Sequence, residues 1–192
     1  IKSGQYSKAA GIITSYPEHV FNFNMCFNGG YAFEKLNNLD MAEKYLRKAL
    51  EYENNPIALY NLGNVLKSKE LFEEALKYYS EALKLDPAYL NVMNNMSLCY
   101  IRLFRLEEAE SILLKAIAEG AGKDEQLNLS SVYSEQCRFS EAEALCRKLA
   151  FLYPEDDEIK YNLAIILLIQ NKEEGYNFFE YRKLNSYSDD IT

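Results

Sequence analysis

The sequence predicts an all-α chain of stacked helix-turn-helix units, a solenoid with one continuous core. Three observations predict it. The first is periodicity: in the stretch from Pro56 to Tyr89, Leu59, Leu62, Gly63 and Leu66 share one face of a first helix. Ala75, Tyr79 and Ala82 share one face of a second, and Asp86-Pro87 closes the unit; both spacings follow a 3.6-residue period. The second is recurrence. Set as a ruler, that stretch finds repeat starts at Phe23, Pro56, Leu90, Lys123 and Asp157, in steps of 33, 34, 33 and 34 residues. Amphipathic helices without a repeat would drift out of such a frame. The third is a pair of small-residue places. The eighth place reads Gly30, Gly63, Ser97, Ser130 and Ala164, and the twentieth Ala42, Ala75, Ala109 and Ala142, with Gly175 one residue early in the fifth unit. Two helices that cross closely need small side chains there, because larger ones push them apart.

The elements follow in order. Gln5 to Ser15 reads as a second helix without its first, with Tyr6, Ala9, Ile12 and Ile13 inward, and it ends before Pro17 because the residue ahead of a proline disfavours the helical region. Asn22–Leu36 with Leu39–Tyr52 form the first pair, and Ile57–Lys69 with Phe72–Leu85 the second. Tyr89–Leu103 with Leu106–Ala118 form the third, stopped by the glycines of Glu119-Gly120-Ala121-Gly122. Asp124–Gln136 with Phe139–Leu152 form the fourth, and Asp157–Gln170 with Glu173–Leu184 the fifth. The domain reading is a single array over residues 1–192: a partial repeat at 4–22, repeats at 23–55, 56–89, 90–122, 123–156 and 157–184, and a polar, frayed tail at 185–192. Gly29 stands where other repeats carry Leu62, Met96, Leu129 and Leu163, so a looser first repeat is expected, a helix-interior glycine costing about 1 kcal/mol relative to alanine. Gln126 and Lys160 likewise replace the apolar residue of the fourth place.

Taken together, the 34-residue unit, the small residues and the Asp-Pro closure resemble the tetratricopeptide repeat, over residues 4 to about 184. The resemblance implies antiparallel helix pairs wound into a right-handed superhelix. It also implies that the chain, which opens on the turn and second helix of a repeat, is a piece of a longer array.

Composition bounds the function. Of the 192 residues 48% are apolar and 26% charged, as in folded soluble chains. No apolar run approaches the length of a membrane span; Leu163 to Ile169 is the longest candidate. The net charge of −8, with no Lys/Arg run, excludes nucleic acid as the expected partner. Cys26, Cys99, Cys137 and Cys146 show neither metal spacing nor a disulfide framework, so reduced thiols in a cytoplasmic setting are expected, with no metal and no cofactor. The one histidine, His19, lies in a loop beside Pro17 and reads as solvated. The acids Glu73-Glu74 and Glu107-Glu108 open second helices, where they complement the helix dipole. No nucleophile–base constellation is spaced for catalysis, and the chain is read as non-enzymatic.

The informative constellation is an asparagine at the sixth place of every repeat: Asn28, Asn61, Asn95, Asn128 and Asn162. The family resemblance places it on the concave groove. An amide offers a donor and an acceptor together, as an extended peptide backbone does. The row is similar to the asparagine ladder of the O-linked N-acetylglucosamine transferase repeats, which implies grip on a peptide by its backbone. A second role, hydrogen bonding between repeats, is equally open to these side chains. Phe27, Tyr31, Tyr60, Asn64, Asn91, Asn94 and Tyr161 surround the ladder, and aromatic and amide side chains suit peptide recognition, although the aromatics can also serve packing. Under the peptide reading the ladder carries affinity without carrying the fold. The repeat places that clamp a terminal carboxylate in chaperone cofactors hold Tyr60 with Asn64, then Asn95, then Asp124 with Asn128. The asparagines fit and the cations do not, which argues against an acidic C-terminal tail as ligand.

The closing segment, Gly175-Tyr176-Asn177-Phe178-Phe179-Glu180-Tyr181-Arg182, is rich in aromatics. It resembles a stretch found late in bacterial repeat proteins, several of them joined to glycosyltransferase domains. Phe178 and Tyr181 are expected to need a cover. The sequence therefore supports a protein-interaction scaffold holding an extended peptide or partner segment. Beside it stand the substrate-recognition arm of a larger enzyme such as a protein glycosyltransferase, and a self-assembling module associating through uncapped ends.

Overall fold

In the computed structural model, which describes residues 2–176, every regular element among the described residues is a helix. The chain divides into two compact units, up to Leu103 and from Phe104. The first holds α1 (Lys2–Ser15), a 3-10 turn (Glu18–Val20), α2 (Phe23–Lys35), α3 (Leu39–Tyr52), α4 (Pro56–Ser68), α5 (Phe72–Leu85) and α6 (Leu90–Arg102). The second holds α7 (Leu106–Ala118), α8 (Lys123–Glu135), α9 (Phe139–Leu152) and α10 (Asp157–Ile169), and Glu174–Tyr176 open a further helical turn. The expected Glu173–Leu184 helix beyond Tyr176, the tail at 185–192, and the aromatics Phe178, Phe179 and Tyr181 lie outside the described residues.

Helix starts are fixed where a side chain can satisfy orphan amides. The Asn22 side-chain Oδ1 accepts from the Met25 N–H at 3.0 Å and that of Asn38 from the Met41 N–H at 3.2 Å. Asn55 caps Ile57 and Ala58, with Pro56 in the first helical position. Asp156 caps Glu158 and Ile159.

The stop of each first helix is a device the sequence reading did not find. The fifteenth place of all five repeats is left-handed: Asn37 at φ 58°, Glu70 at 61°, Phe104 at 56°, Cys137 at 60° and Asn171 at 55°. The next residue donates back over the turn, Asn38 to Phe33, Leu71 to Leu66, Arg138 to Tyr133 and Lys172 to Leu167, at 2.8–2.9 Å. This is the Schellman arrangement, which satisfies the last carbonyls. Two of these residues are the asparagines that tolerate such a backbone; Glu70, Phe104 and Cys137 are not. Gly120, at φ 93°, ends α7 the same way, as expected of the glycine stop.

The small-residue places behave as predicted. Ala42, Ala75, Ala109 and Ala142 are fully buried, and a Cβ on Gly30 would lie 2.6 Å from Leu46 Cγ. On Gly63 it would lie 2.4 Å from the Tyr79 ring. Ser97 and Ser130 fit by turning their hydroxyls onto the carbonyls of Asn94 and Leu127, both at 2.7 Å. Gly175 is buried, and a Cβ there would meet Leu168 Cγ at 2.9 Å.

Two expectations fail here. Gly29 does not loosen the first repeat: a Cβ on it would sit 2.6 Å from Ile13 Cδ1. The missing leucine is room for the helix that precedes the repeat, and Ile13 fills it at 3% exposure. Ile12, read as inward, is 48% exposed, because Ala10 and Ile13 face the core instead.

Ion pairs tie one repeat to the next. Arg47 on α3 donates to Glu43 on its own helix and to Glu74 on α5 at 2.5 Å, and it also bonds the Tyr78 hydroxyl. Glu74 is thus more than a dipole partner. In the second unit Glu143 on α9 accepts from Lys172 and Gln170 beyond α10, and from Arg147. The Lys172 bond chiefly holds its carboxyl down, to about 2.

Candidate functional site

The first helices carry the candidate face. In the first unit α2 packs on α4 and α4 on α6; in the second α8 packs on α10. The sixth-place asparagines do not share one environment. Asn28 is exposed, Asn95, Asn128 and Asn162 are half-buried, and Asn61 keeps 8% exposure. Asn61 is therefore buried rather than presented, and leaves little of its amide for a ligand. Asn91 is exposed, and Asn64 and Asn94 are half-buried.

Asn95 is the centre of a network. Its amide nitrogen donates to Asn64 Oδ1 at 2.8 Å and to the Tyr60 hydroxyl at 3.3 Å. Its carbonyl accepts from Lys67 Nζ at 2.7 Å. The buried Tyr79 hydroxyl donates to the same Asn64 oxygen at 2.7 Å. Asn95 thus ties α6 to α4 and, through Asn64, to the floor of the α4–α5 pair. At this position the amide bonds between repeats, the second of the two roles the sequence left open. The reason is geometric: the ninth-place Asn64 and twelfth-place Lys67 of the preceding repeat both lie within reach of it.

The aromatics are partly committed to packing. Tyr60 lies 6.3 Å from the Tyr79 ring and 5.2 Å from Tyr89. Tyr31 meets Tyr6 edge-on at 6.1 Å and keeps 37% exposure, with the Lys35 ammonium 4.9 Å above it. Phe27 stacks on Phe23 at 5.6 Å. Tyr161, on α10, is 36% exposed.

The sequence reading missed two clefts. In the first unit a cleft of about 370 Å³ is lined by Lys67, Ser68, Glu70, Phe72, Leu98, Ile101 and Arg102. In the second, one of about 400 Å³ is lined by Ser130, Ser131, Ser134, Glu135, Cys137, Phe139, Asn162, Ile165, Ile166 and Ile169. Counted from the repeat starts, both use the twelfth, thirteenth, fifteenth and seventeenth places of one repeat and the ninth and thirteenth of the next. The signal was present as a phenylalanine at the seventeenth place, Phe72 and Phe139, and an aliphatic at the ninth, Leu98 and Ile165. Cations also stand here, Lys67 and Arg102, at places other than those of the carboxylate clamp. Burial pushes the Lys67 ammonium below the ordinary lysine range, and it raises the neighbouring Cys99 thiol to about 11.

Sequence comparison agrees with this architecture. The tetratricopeptide repeat pattern matches residues 56–89, and a second pattern of the same description matches 23–56 and 90–118. The chain belongs to the tetratricopeptide repeat family. It is 35% identical over 133 residues to the human protein O-mannosyl-transferase TMTC1, covering 69% of this chain and 15% of that protein. It is 44% identical over 50 residues to a Giardia intestinalis UDP-N-acetylglucosamine–peptide N-acetylglucosaminyltransferase, covering 26% of this chain and 3% of that one. The chain thus spans a small fraction of the curated relatives it matches. Among solved structures, residues 41 to the end of MamA from Desulfovibrio magneticus RS-1 superpose with a TM-score of 0.80 at 17% identity, over 88% of this chain and 97% of that one. YrrB, described as a TPR protein with an unusual peptide-binding site, gives 0.68 at 18% identity, over 91% and 89%. At these identities the likeness is one of fold. Among the described residues, no helix is long and apolar enough to cross a membrane.

Proposed function

We propose that this protein is an interaction scaffold whose first-helix face holds an extended peptide segment of a partner. The observation that carries the reading is the cleft built twice from the same repeat places, each time lined by apolar and polar side chains together. Such a cleft suits a side chain of an extended segment, and we assign contact with the segment's backbone to Asn128, Asn162 and Tyr161. Asn28, Asn91 and Tyr31 supply exposed amide and phenol groups on the same helices of the first unit. Asn61, Asn64, Asn95 and Tyr60 shape the face from beneath. Four free cysteines, three of them buried, fit a reducing compartment such as the cytoplasm.

Selection of a random-peptide display library on the whole chain, followed by hydrogen-exchange mapping of enriched peptides, tests this. Protection is expected on α4, α6, α8 and α10. Protection confined to α3, α5, α7 and α9, or no enrichment, overturns it.

A second reading is favoured by the two transferase relatives: the array is the substrate-recognition arm of a larger protein glycosyltransferase. The parent reading frame on both sides of this sequence decides it. A transferase domain there supports the arm, and its absence leaves the scaffold reading.

A further inference from the structure

The two clefts share a frame and differ in charge. Phe72 and Leu98 in the first correspond to Phe139 and Ile165 in the second. The varying places hold Lys67 against Ser134, Ser68 against Glu135, Glu70 against Cys137, and Arg102 against Ile169. Resting on the peptide reading above, we infer that the first-unit cleft receives an acidic side chain within the partner segment, held by the Lys67 ammonium and the Arg102 guanidinium.

Lys67 carries the argument. Other half-buried lysines of this chain sit on carboxylates, Lys69 on Asp40 and Glu43 and Lys123 on Asp156, while lysines such as Lys77, Lys84, Lys115 and Lys148 are exposed to water. Lys67 is half-buried, its ammonium bonds the neutral Asn95 amide, and no carboxylate among the described residues pairs with it. A desolvated cation on a neutral partner is an arrangement that an incoming carboxylate relieves.

Arg102 supplies the second arm. Its side chain is 64% exposed, its guanidinium lies 5.5 Å over the Phe72 ring, and its contact to Glu70 is a loose 3.9 Å with that carboxylate itself 75% exposed. Two cations against one acid make this a local positive spot on a chain of net charge −8. The apolar lining of Phe72, Leu98 and Ile101 suits an apolar neighbour of the acidic residue. The second-unit cleft, with Ile169 in place of Arg102, has no such preference.

The test starts from peptides enriched on the intact chain. An excess of Asp or Glu beside a large apolar residue is expected. For an enriched peptide, Asp→Asn or Glu→Gln should weaken binding about tenfold, the worth of a charge-assisted contact. Lys67→Gln keeps a donor to Asn95 but removes the charge; it should weaken the acidic peptide similarly and narrow the difference between acid and amide forms. Arg102→Ile, an exposed change that spares the Asn95 network, should weaken it in the same direction. Enriched peptides without acidic bias, or affinities unchanged within about twofold by both substitutions, overturn the inference and leave the peptide reading standing. Failure to enrich any peptide overturns both.

Discussion

Replacing Asn95 with alanine separates a structural role from a binding role. The change removes three hydrogen bonds: to Lys67 at 2.7 Å, Asn64 at 2.8 Å and Tyr60 at 3.3 Å. Neutral bonds are worth about 0.5–1.5 kcal/mol net and bonds to charged groups about 1.5–3. Asn64 keeps the Tyr79 hydroxyl as a partner, so its oxygen is not orphaned. Tyr60 and Lys67 are half-buried, and water entering the vacated space recovers part of their loss. The expected destabilisation is therefore about 2–3 kcal/mol, below the plain sum. For a chain of this size that is a fall in melting temperature of about 4–12 °C. The assay is thermal and urea unfolding of the intact chain, with Asn28→Ala as control; Asn28 is exposed, and its change should stay within about 0.5 kcal/mol. A cycle with Lys67→Met should show coupling of at least about 0.5 kcal/mol. If Asn95→Ala melts with the parent chain and the cycle shows no coupling, the network does not hold the repeats together and the reasoning fails.

Three further outcomes follow from the same structure. Gly63→Ala drives a Cβ to 2.4 Å from the enclosed Tyr79 ring and should cost about 1–3 kcal/mol despite its gain in helix propensity, whereas Gly11→Ala, with nothing within 4 Å, should be neutral or stabilising by up to about 1 kcal/mol in the same melts. Phe104→Asn relieves a bulky residue at φ 56° and 82% exposure and should raise stability by about 0.5–1 kcal/mol. The Glu143 carboxyl falls from 4.5 to about 2 on folding, so its contribution is present above its unfolded value and is lost as pH falls through the folded one. Unfolding followed from pH 5 to pH 2 should therefore show a loss of stability that Glu143→Gln reduces; an unchanged acid profile in that variant would show that the Lys172–Glu143–Arg147 cluster contributes nothing.

The repeat frame was legible because it is written in backbone sterics. A glycine, serine or alanine at the eighth place and an alanine at the twentieth are demanded wherever two helices cross closely, whatever surrounds them. Leu39–Tyr52, Phe72–Leu85, Leu106–Ala118 and Phe139–Leu152 appear with the bounds read from their periodicity, and the first helices shift by a residue or so at their ends, where caps decide. Gly29 misled because its reason lies outside its own repeat, in the side chain of Ile13. The left-handed fifteenth place escaped notice because glutamate, phenylalanine and cysteine there give no propensity signal; the turn imposes the conformation on them.

The sequence by itself determined the all-α class, the spacing of the units and which residues seal each helix pair, since these depend on periodicity and contacts inside one repeat. The tertiary structure decided what the asparagines do. One amide at the sixth place looks like another in the sequence, yet Asn28 is exposed, Asn61 is buried, and Asn95 is bound to Lys67, Asn64 and Tyr60. That difference arises from side chains about 30 residues away in the chain, brought within hydrogen-bonding distance by the stacking of one first helix on the next. That Lys67 is half-buried beside an open cleft and, among the described residues, bonds a neutral amide and no carboxylate comes from the same stacking, because both are properties of a packed neighbourhood.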